Sequence, residues 1–437
     1  MQIKRVWATD LYGILNFDHI INNGINLLVG INGSGKTSII NIINWITSAD
    51  IATLSSTQYK EIGIEFTQGT REKTIIKVTQ QGRDLHINGS VGKKKLSPIH
   101  VDMAVPPRDL ASNSRQREEM REHYAALGPE KTEIELWTLL QSGPKPLTIS
   151  LDRRIKISNN SVILDEEGIE NFTLNRSKIL IGDPIKQVIK ITREKYSQYQ
   201  SELLKINETL KAKLITSSFS SRNNSTSAKT ITVAKISAVE QKLLTRMNAW
   251  STDSSDKTSV VNYFKKIHAL IQANQNTNNS SIGAVLRNFL ADDIYRISAL
   301  SDALDEFESK TSTAFESINI YLRELNSFFE DSGKKIVFNE TNNQLYFHLK
   351  DKIDELRSIE LMSSRKRQIL ILLTYIAFTP IKTSMFIIDE PELSLHPKWQ
   401  HQLLPSIDAL MGKDTQMIIA THSPEIVGNY KSKCIEI

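Results

Sequence analysis

Gly30-Ile31-Asn32-Gly33-Ser34-Gly35-Lys36-Thr37 satisfies G-x-x-x-x-G-K-[ST] at every fixed position. Each part of the pattern suits one piece of phosphate chemistry. Small residues let backbone N–H groups curl around phosphate oxygens, and the helix that follows adds the positive end of its dipole. Lys36 is a point cation for β- and γ-phosphates, and the Thr37 hydroxyl can ligate Mg²⁺. The candidate cradle is therefore Asn32, Gly33, Ser34, Gly35, Lys36, Thr37 and Ser38. At the other end of the chain, the apolar run Ser384–Ile388 closes on Asp389 and Glu390. An apolar strand would deliver Asp389 rigidly to the carboxyl edge of a sheet, where it can hold Mg²⁺ directly or through water. Glu390, one residue on, suits a general base that polarises an attacking water. Alone, two acids after a strand often mark only a helix start; a complete phosphate loop gives them meaning. A further apolar run, Met417–Ala420, leads into Thr421-His422-Ser423-Pro424, and His422 suits a hydrogen bond to the γ-phosphate or the lytic water.

These groups need rigid elements to carry them. Ile25–Val29 reads as a buried strand entering the loop, and Thr37–Ile46 as a helix with Ile39, Ile40, Ile42, Ile43 and Ile46 at helical spacing. Ile62–Phe66, Thr74–Val78 and Leu85–Ile87 read as short strands of an antiparallel sheet, and Leu147–Leu151 and Ile155–Leu164 as further strands. Asp183-Pro184 is a helix start, and the helix is expected to reach about Leu214. The Ser/Asn/Thr stretches Thr216–Thr230, Ser251–Ser259 and Asn274–Ser281 read as loops between helices. Ile297, Leu300, Leu304, Phe307, Thr311, Ala314, Ile318, Tyr321, Leu325 and Phe328 step by three and four, the seam of a coiled coil that packs within one chain or against another. Lys335–Phe338 and Leu345–Leu349 flank Asn342-Asn343 as a hairpin. The expected domains are a lobe at 1–180, a helical insertion at 181–332 and a second lobe at 333–437.

Composition narrows the class. The 437 residues carry 54 Lys+Arg against 49 Asp+Glu, a mild excess of +5 that does not imply a nucleic-acid coat protein. With 40% hydrophobic and 24% charged residues, the chain is ordinary globular protein. No apolar run approaches 18 residues and no signal peptide is evident, so no membrane partner is expected. The lone Cys434 excludes an intrachain disulfide framework and a Cys-rich zinc site, and the expected compartment is the cytoplasm. His396 and His401, five apart, do not share a helix face and make a poor zinc pair.

Gly30–Thr37, the run DEPELSLHPKW at Asp389–Trp399 and ATHSPE at Ala420–Glu425 together resemble an ABC-type P-loop ATPase head. The resemblance is to the branch that includes SMC-like and OLD-family proteins, and it implies a fold. That fold is an α/β head, a mixed sheet with flanking helices, assembled from both chain ends and interrupted by a helical or coiled-coil insertion. It also implies ATP and Mg²⁺ as ligands, Asp389 as the magnesium acid, Glu390 as the catalytic glutamate and His422 as the switch histidine. Leu393–His396 would occupy the loop that communicates across a head-to-head dimer. The in-trans signature loop falls on Ser363, Ser364, Arg365 and Gln368, with Arg365 and Lys366 where the family has glycine and an acid. Gln80 and Gln81 are the candidates for the family's Q-loop glutamine, neither compelling.

OLD-family proteins continue into a metal-dependent nuclease, whereas Ser423–Ile437 contains no aspartate and so offers no metal-binding carboxylate cluster of that kind. No nuclease activity of its own is therefore expected. A head of this kind is similar to the ATPase subunits of bacterial two-gene anti-phage systems, of the PARIS or Septu type, which pair an ATPase with a separate nuclease. The resemblance implies a head-to-head dimer or higher oligomer, an effector nuclease encoded nearby and a phage protein as trigger. Two other readings compete. One is an SMC-like DNA-repair ATPase, with Lys93–Lys95, Arg153-Arg154-Lys156 and Arg365–Arg367 against DNA. The other is a nucleotide-gated oligomeric scaffold with little turnover.

Overall fold

The computed structural model describes residues 1–68, 72–110, 114–125, 127–143, 145–150, 154–157, 184–219, 233–249, 254–276, 281–379 and 385–437. Strands β1 (Gln2–Leu11) and β2 (Leu15–Ile20) form an opening hairpin, followed by β3 (Ile25–Val29), the glycine-rich loop and helix α1 (Lys36–Thr47). α1 is rich in isoleucine, which costs about a few tenths of a kcal/mol each relative to the best helix formers. Ile39, Ile40, Ile42, Ile43 and Ile46 are each at most 2% exposed. Burial of such a side chain contributes about 1.5–3 kcal/mol, so packing decides this helix and propensity does not.

Helix α2 (Ile51–Ser56) is capped by Asp50, whose carboxylate accepts the Thr53 N–H at 3.0 Å. Strands β4 (Glu61–Thr67), β5 (Lys73–Gln81), β6 (Asp84–Val91), β7 (Lys94–Lys95) and β8 (Ile99–Asp102) follow. With the first hairpin they make a seven-stranded antiparallel sheet, ordered β2-β1-β4-β5-β6-β7, with β8 also on β6. The expected antiparallel sheet is thus present, and the opening hairpin extends it. Its strands alternate: Ile62, Ile64, Ile76, Val78, Leu85, Ile87, Ile99 and Val101 enter one core, while Glu61, Lys73, Lys77, Asp84 and His100 face outward.

After α3 (Pro107–Leu110), α4 (Ser114–Ala125) and α5 (Ile134–Ser142) come β9 (Leu147–Ser150) and β10 (Arg154–Ile157). The expected continuation to Leu164, Leu151 and the Asp183 cap lie outside the described residues. Helices α6 (Pro184–Phe219), α7 (Val233–Ala249), α8 (Ser254–Asn276) and α9 (Ser281–Phe329) occupy the middle of the chain. Residues 216–219 and 254–259, expected in loops, are helical. Their hydroxyls bond back to the preceding turn: Thr216 Oγ1 donates to Ala212 O at 2.9 Å, and Ser259 Oγ to Ser255 O at 3.0 Å.

The chain closes with a three-stranded sheet β11 (Lys334–Asn339), β12 (Gln344–Leu349) and β13 (Lys352–Ser358), then α10 (Ser364–Phe378), β14 (Met385–Asp389), α11 (Pro397–Leu410), β15 (Gln416–Thr421), α12 (Pro424–Val427) and β16 (Cys434–Glu436). The β11–β12 hairpin turns through Asn343 in a left-handed conformation, φ 59°. β13 pairs on its far side and was not anticipated.

Contacts divide the chain into Met1–Lys195 with Ile320–Ile437, and Tyr196–Asn319. In the first unit, a six-stranded sheet runs β10-β9-β14-β15-β3-β16, parallel except for β10 at one edge. Both of its faces are buried. Met385, Ile387, Ile418, Ala420 and Leu28 join the core shared with α1 and the antiparallel sheet, while Phe386, Ile388, Met417, Ile419 and Leu27 join a second core with α10 and α11. Tyr321, Leu325 and Phe328 of the heptad seam pack into that second core. Within the helical unit, Ile297, Leu304 and Phe307 of the same seam pack on Leu210, Ile236, Val239, Phe264 and Ile267. The seam is therefore satisfied inside one chain. The observed architecture is the expected α/β head, drawn from both chain ends and interrupted by a large helical insertion.

Candidate nucleotide site

Parallel strands share one carboxyl edge, and three of them deliver the sequence-predicted residues to it. β15 lies between β14 and β3. In register, Asp389 stands opposite Ala420, and Ala420 opposite Leu28. The acidic pair, the His422 loop and the phosphate loop thus leave the sheet at one level, over three strands that span about 10 Å.

The phosphate loop depends on glycine in two ways. Gly33 and Gly35 have φ of 84° and 111°, a left-handed region that a side chain would strain. At Gly30, an added Cβ would fall 2.7 Å from the Ile437 carbonyl oxygen, so the backbone approach itself requires glycine. The first hydrogen bond within α1 runs from Ile39 N–H to Gly35 O at 3.1 Å. The amides of Lys36, Thr37 and Ser38 are therefore uncommitted within the helix, and they face an anion's natural seat. Lys36, 5% exposed, donates through Nζ to Gly30 O at 2.8 Å and Ile31 O at 3.0 Å, which holds the cation within the loop. Asn32 and Gly33 are exposed at the tip.

The Thr37 hydroxyl lies near enough to the Asp389 carboxylate to lower its pKa, so loop and acidic strand come together. Burial pushes the Asp389 carboxyl up, Glu390 pushes the same way, the nearby Thr37 hydroxyl opposes, Glu392 adds to the rise and Lys36 offsets it. Its Oδ1 is buried without a partner. A buried carboxylate oxygen without a donor, beside a hydroxyl, is the donor chemistry of a hard divalent cation, so the residues fit Mg²⁺. Glu390 has φ 47°, a left-handed conformation that costs a non-glycine residue about 1–3 kcal/mol. Its amide continues the ladder onto β15, donating to Ala420 O at 2.9 Å.

Glu392 is the residue that sequence reasoning passed over. One carboxylate oxygen, Oε1, accepts the His422 backbone N–H at 2.7 Å and lies 2.8 Å from His422 Nδ1. The Glu392 side chain is 5% exposed while His422 is 40% exposed, so a buried carboxylate anchors an accessible imidazole. A carboxylate on Nδ1 selects the tautomer that leaves Nε2 toward the open side. Gln400 extends the brace: its Nε2 donates to Leu395 O at 3.0 Å and its Oε1 accepts from Ser423 Oγ at 2.6 Å. The run DEPELS contained the signal, since its second glutamate sits two residues after the acidic pair.

Other expected residues lie elsewhere. Ser363 stands at the N-terminal boundary of α10 without a side-chain capping bond, with Ser364 and Arg365 exposed in the first turn and Gln368 one turn further, on a different element from the three that meet at the sheet edge. Gln80 is spent on structure. Its Nε2 donates to Leu54 O at 2.8 Å and Thr57 O at 2.9 Å, and its Oε1 accepts Tyr59 N–H at 3.2 Å. His396 caps α11, and His401 pairs with Glu425. No described helix is long and apolar enough to cross a membrane.

The chain is similar to solved structures of SMC heads. An Smc head domain with an extended coiled coil, bound to the C-terminal domain of ScpA, from Pyrococcus furiosus, is 13% identical at TM-score 0.36, covering 98% of this chain and 91% of that one. An SmcHead bound to the C-winged helix domain of ScpA is 12% identical at TM-score 0.36, covering 98% and 92%. An Smc head domain with a coiled coil and joint from Pyrococcus yayanosii is 15% identical at TM-score 0.34, covering 98% and 93%. Likenesses this distant say nothing about individual residues. The family model for the AAA ATPase domain matches residues 14–427, from the first hairpin turn to the short helix after His422, and so spans both halves of the site. This chain belongs to the AAA ATPase domain family.

Proposed function

We propose that this ATPase binds ATP with Mg²⁺ at the shared sheet edge, hydrolyses it as one half of a head-to-head dimer, and through that cycle controls a separate effector nuclease in an anti-phage complex. The observation that carries the nucleotide reading is the strand register, Asp389 opposite Ala420 and Ala420 opposite Leu28, which brings the two motifs to one sheet edge. Backbone amides from Gly33 to Ser38 bind the phosphates, and Lys36 neutralises them. Thr37 and Asp389 would hold Mg²⁺, which when bound offsets charge on the phosphate oxygens. Glu390, fixed by its bond to β15, takes the proton from the attacking water. His422 Nε2, presented by Glu392 and left as the acceptor nitrogen, takes a hydrogen bond from the lytic water.

The dimer reading is supported by exposed apolar side chains beside the relevant elements. Ile31 in the phosphate loop is 82% exposed, Leu393 after the acidic pair 65%, and Leu361 before Ser363 72%. The defence role rests on the resemblance of the DEPELSLHP and ATHSPE runs to two-gene anti-phage ATPases.

Lys36→Ala tests the site: ATP binding by the purified chain is expected to be lost. Unchanged ATP affinity would place the nucleotide elsewhere. Co-purification with the nuclease encoded beside it, gained or lost with ATP, tests the role. A chain that captures no such neighbour in either nucleotide state sinks the effector reading and leaves the ATPase standing.

A further inference from the structure

The outward face of the antiparallel sheet carries a second cluster of chemistry. β6 and β8 pair with His86 opposite His100 and Asp84 opposite Asp102, so all four side chains project from one face. The two imidazoles are stacked, with ring centroids 4.7 Å apart and planes at 28°. His100 Nε2 lies 2.9 Å from Asp84 Oδ1. One ligand atom from each of Asp84, His86 and His100 lies within 4.8 Å of the other two, and they are the one such group among the described residues.

We propose that Asp84, His86 and His100 form a surface site for a borderline divalent transition metal of the Zn²⁺, Ni²⁺ or Co²⁺ class. Two imidazole nitrogens and one carboxylate oxygen are a common donor set for these ions, while Mg²⁺ and Ca²⁺ favour all-oxygen surroundings. The backbone is prepared for it. The His100 N–H donates to Glu133 Oε1 at 2.8 Å, away from β6. That makes His86–His100 a non-hydrogen-bonded pair, the kind whose Cα atoms approach to about 4.5 Å. The buried Glu133 thereby fixes the strand that carries His100. Tetrahedral Zn²⁺ at about 2.0–2.1 Å from its ligands places them roughly 3.3 Å apart. Asp84 and His100 are exposed and His86 half-buried, so rotation about side-chain torsions closes the gap without moving the sheet. Asp102 is the register partner of Asp84 on the same face, and water would complete the sphere.

The site is separate from the ATP chemistry. Its ligands lie on the face of one sheet, while Asp389 and Glu390 lie at the end of a strand in another. Titration of the full chain with Co²⁺, and Zn²⁺ in competition, tests it without nucleotide. The expected result is one saturable equivalent with a ligand-field spectrum, weakened about tenfold or more by His86→Ala or His100→Ala, a loss of at least about 1.4 kcal/mol. Asp84→Asn should weaken it less. Zn²⁺ should raise the Tm of the native chain and not that of the double variant, and Mg²⁺-dependent ATP turnover of the variants should match the parent. Should His86→Ala fail to fold, His100→Gln on the exposed strand carries the same comparison. Absence of saturable binding, or equal affinity in the His86/His100 double variant, overturns the proposal, since the ions would then be using other histidines.

Discussion

The two large sheets of the first unit are built from much the same apolar residues, isoleucine above all, arranged in opposite ways. In the parallel sheet, β14 and β15 are apolar at consecutive positions because cores lie on both sides. The polar side chains carried inside that sheet, Asn26, Thr148 and Gln416, are buried and hydrogen-bonded, so the groups left for a ligand sit at the strand ends, at Asp389, Glu390 and His422. In the antiparallel sheet one face is wet, and polar groups sit along it at every second position. Its chemistry is spread over a face: Asp84, His86 and His100. A strand end holds its groups by backbone, whereas a wet face holds them only by register.

That contrast can be broken or sharpened by substitution. The largest effect is expected at Glu390→Gln, which should lower kcat for ATP by about 10²–10⁴-fold while ATP still binds. Turnover unchanged by that variant would remove Glu390 as the base and favour the scaffold reading. Glu392→Gln should follow, with kcat down about tenfold at unchanged ATP affinity, because His422 keeps its place and loses its orienting charge. An equal loss in binding and kcat would instead show a damaged loop.

A stability effect comes next, on the antiparallel sheet. Trp7 lies across Gly63, its register partner, and a Cβ there would fall 2.1 Å from the indole. Gly63→Ala should cost about 1–3 kcal/mol by denaturant unfolding. It should leave turnover per folded molecule unchanged if the sheet edge alone does the chemistry.

The smallest effect is expected at Asp389→Asn. Because the folded carboxyl is raised, its charge costs stability. The cost is absent in acid, grows as pH rises from the ordinary carboxylate value to the raised one, and persists above it. Removing the charge should lift Tm at neutral pH by about 1–2 °C in the absence of nucleotide, discounted for partial solvent access. A fall in Tm would show that the neighbouring Thr37 hydroxyl and Lys36 outweigh burial.

Much of the head was legible in order of residues because its signals are local. A loop that needs glycine at Gly33 and Gly35 announces itself by type, and β14 and β15 announce burial by unbroken apolar runs. Ser/Thr-rich stretches misled, because hydroxyls that bond back to the previous turn make polar sequence compatible with helix at 254–259. Glu392 was illegible for another reason. An acid two residues after the acidic pair reads as a capped turn, and only the neighbouring strand brings His422 to it. The same holds for Gln80, whose partners Leu54 and Thr57 come from another element.

By itself, the sequence determined that a phosphate loop and an acid pair must meet in one ATPase, since each motif carries its own backbone requirements. Which residues stand behind them was decided by tertiary structure. Strand order alone sets β15 between β14 and β3, ties His422 to Glu392, and pairs His86 with His100. Those are contacts between different elements, and no periodicity within one element encodes them.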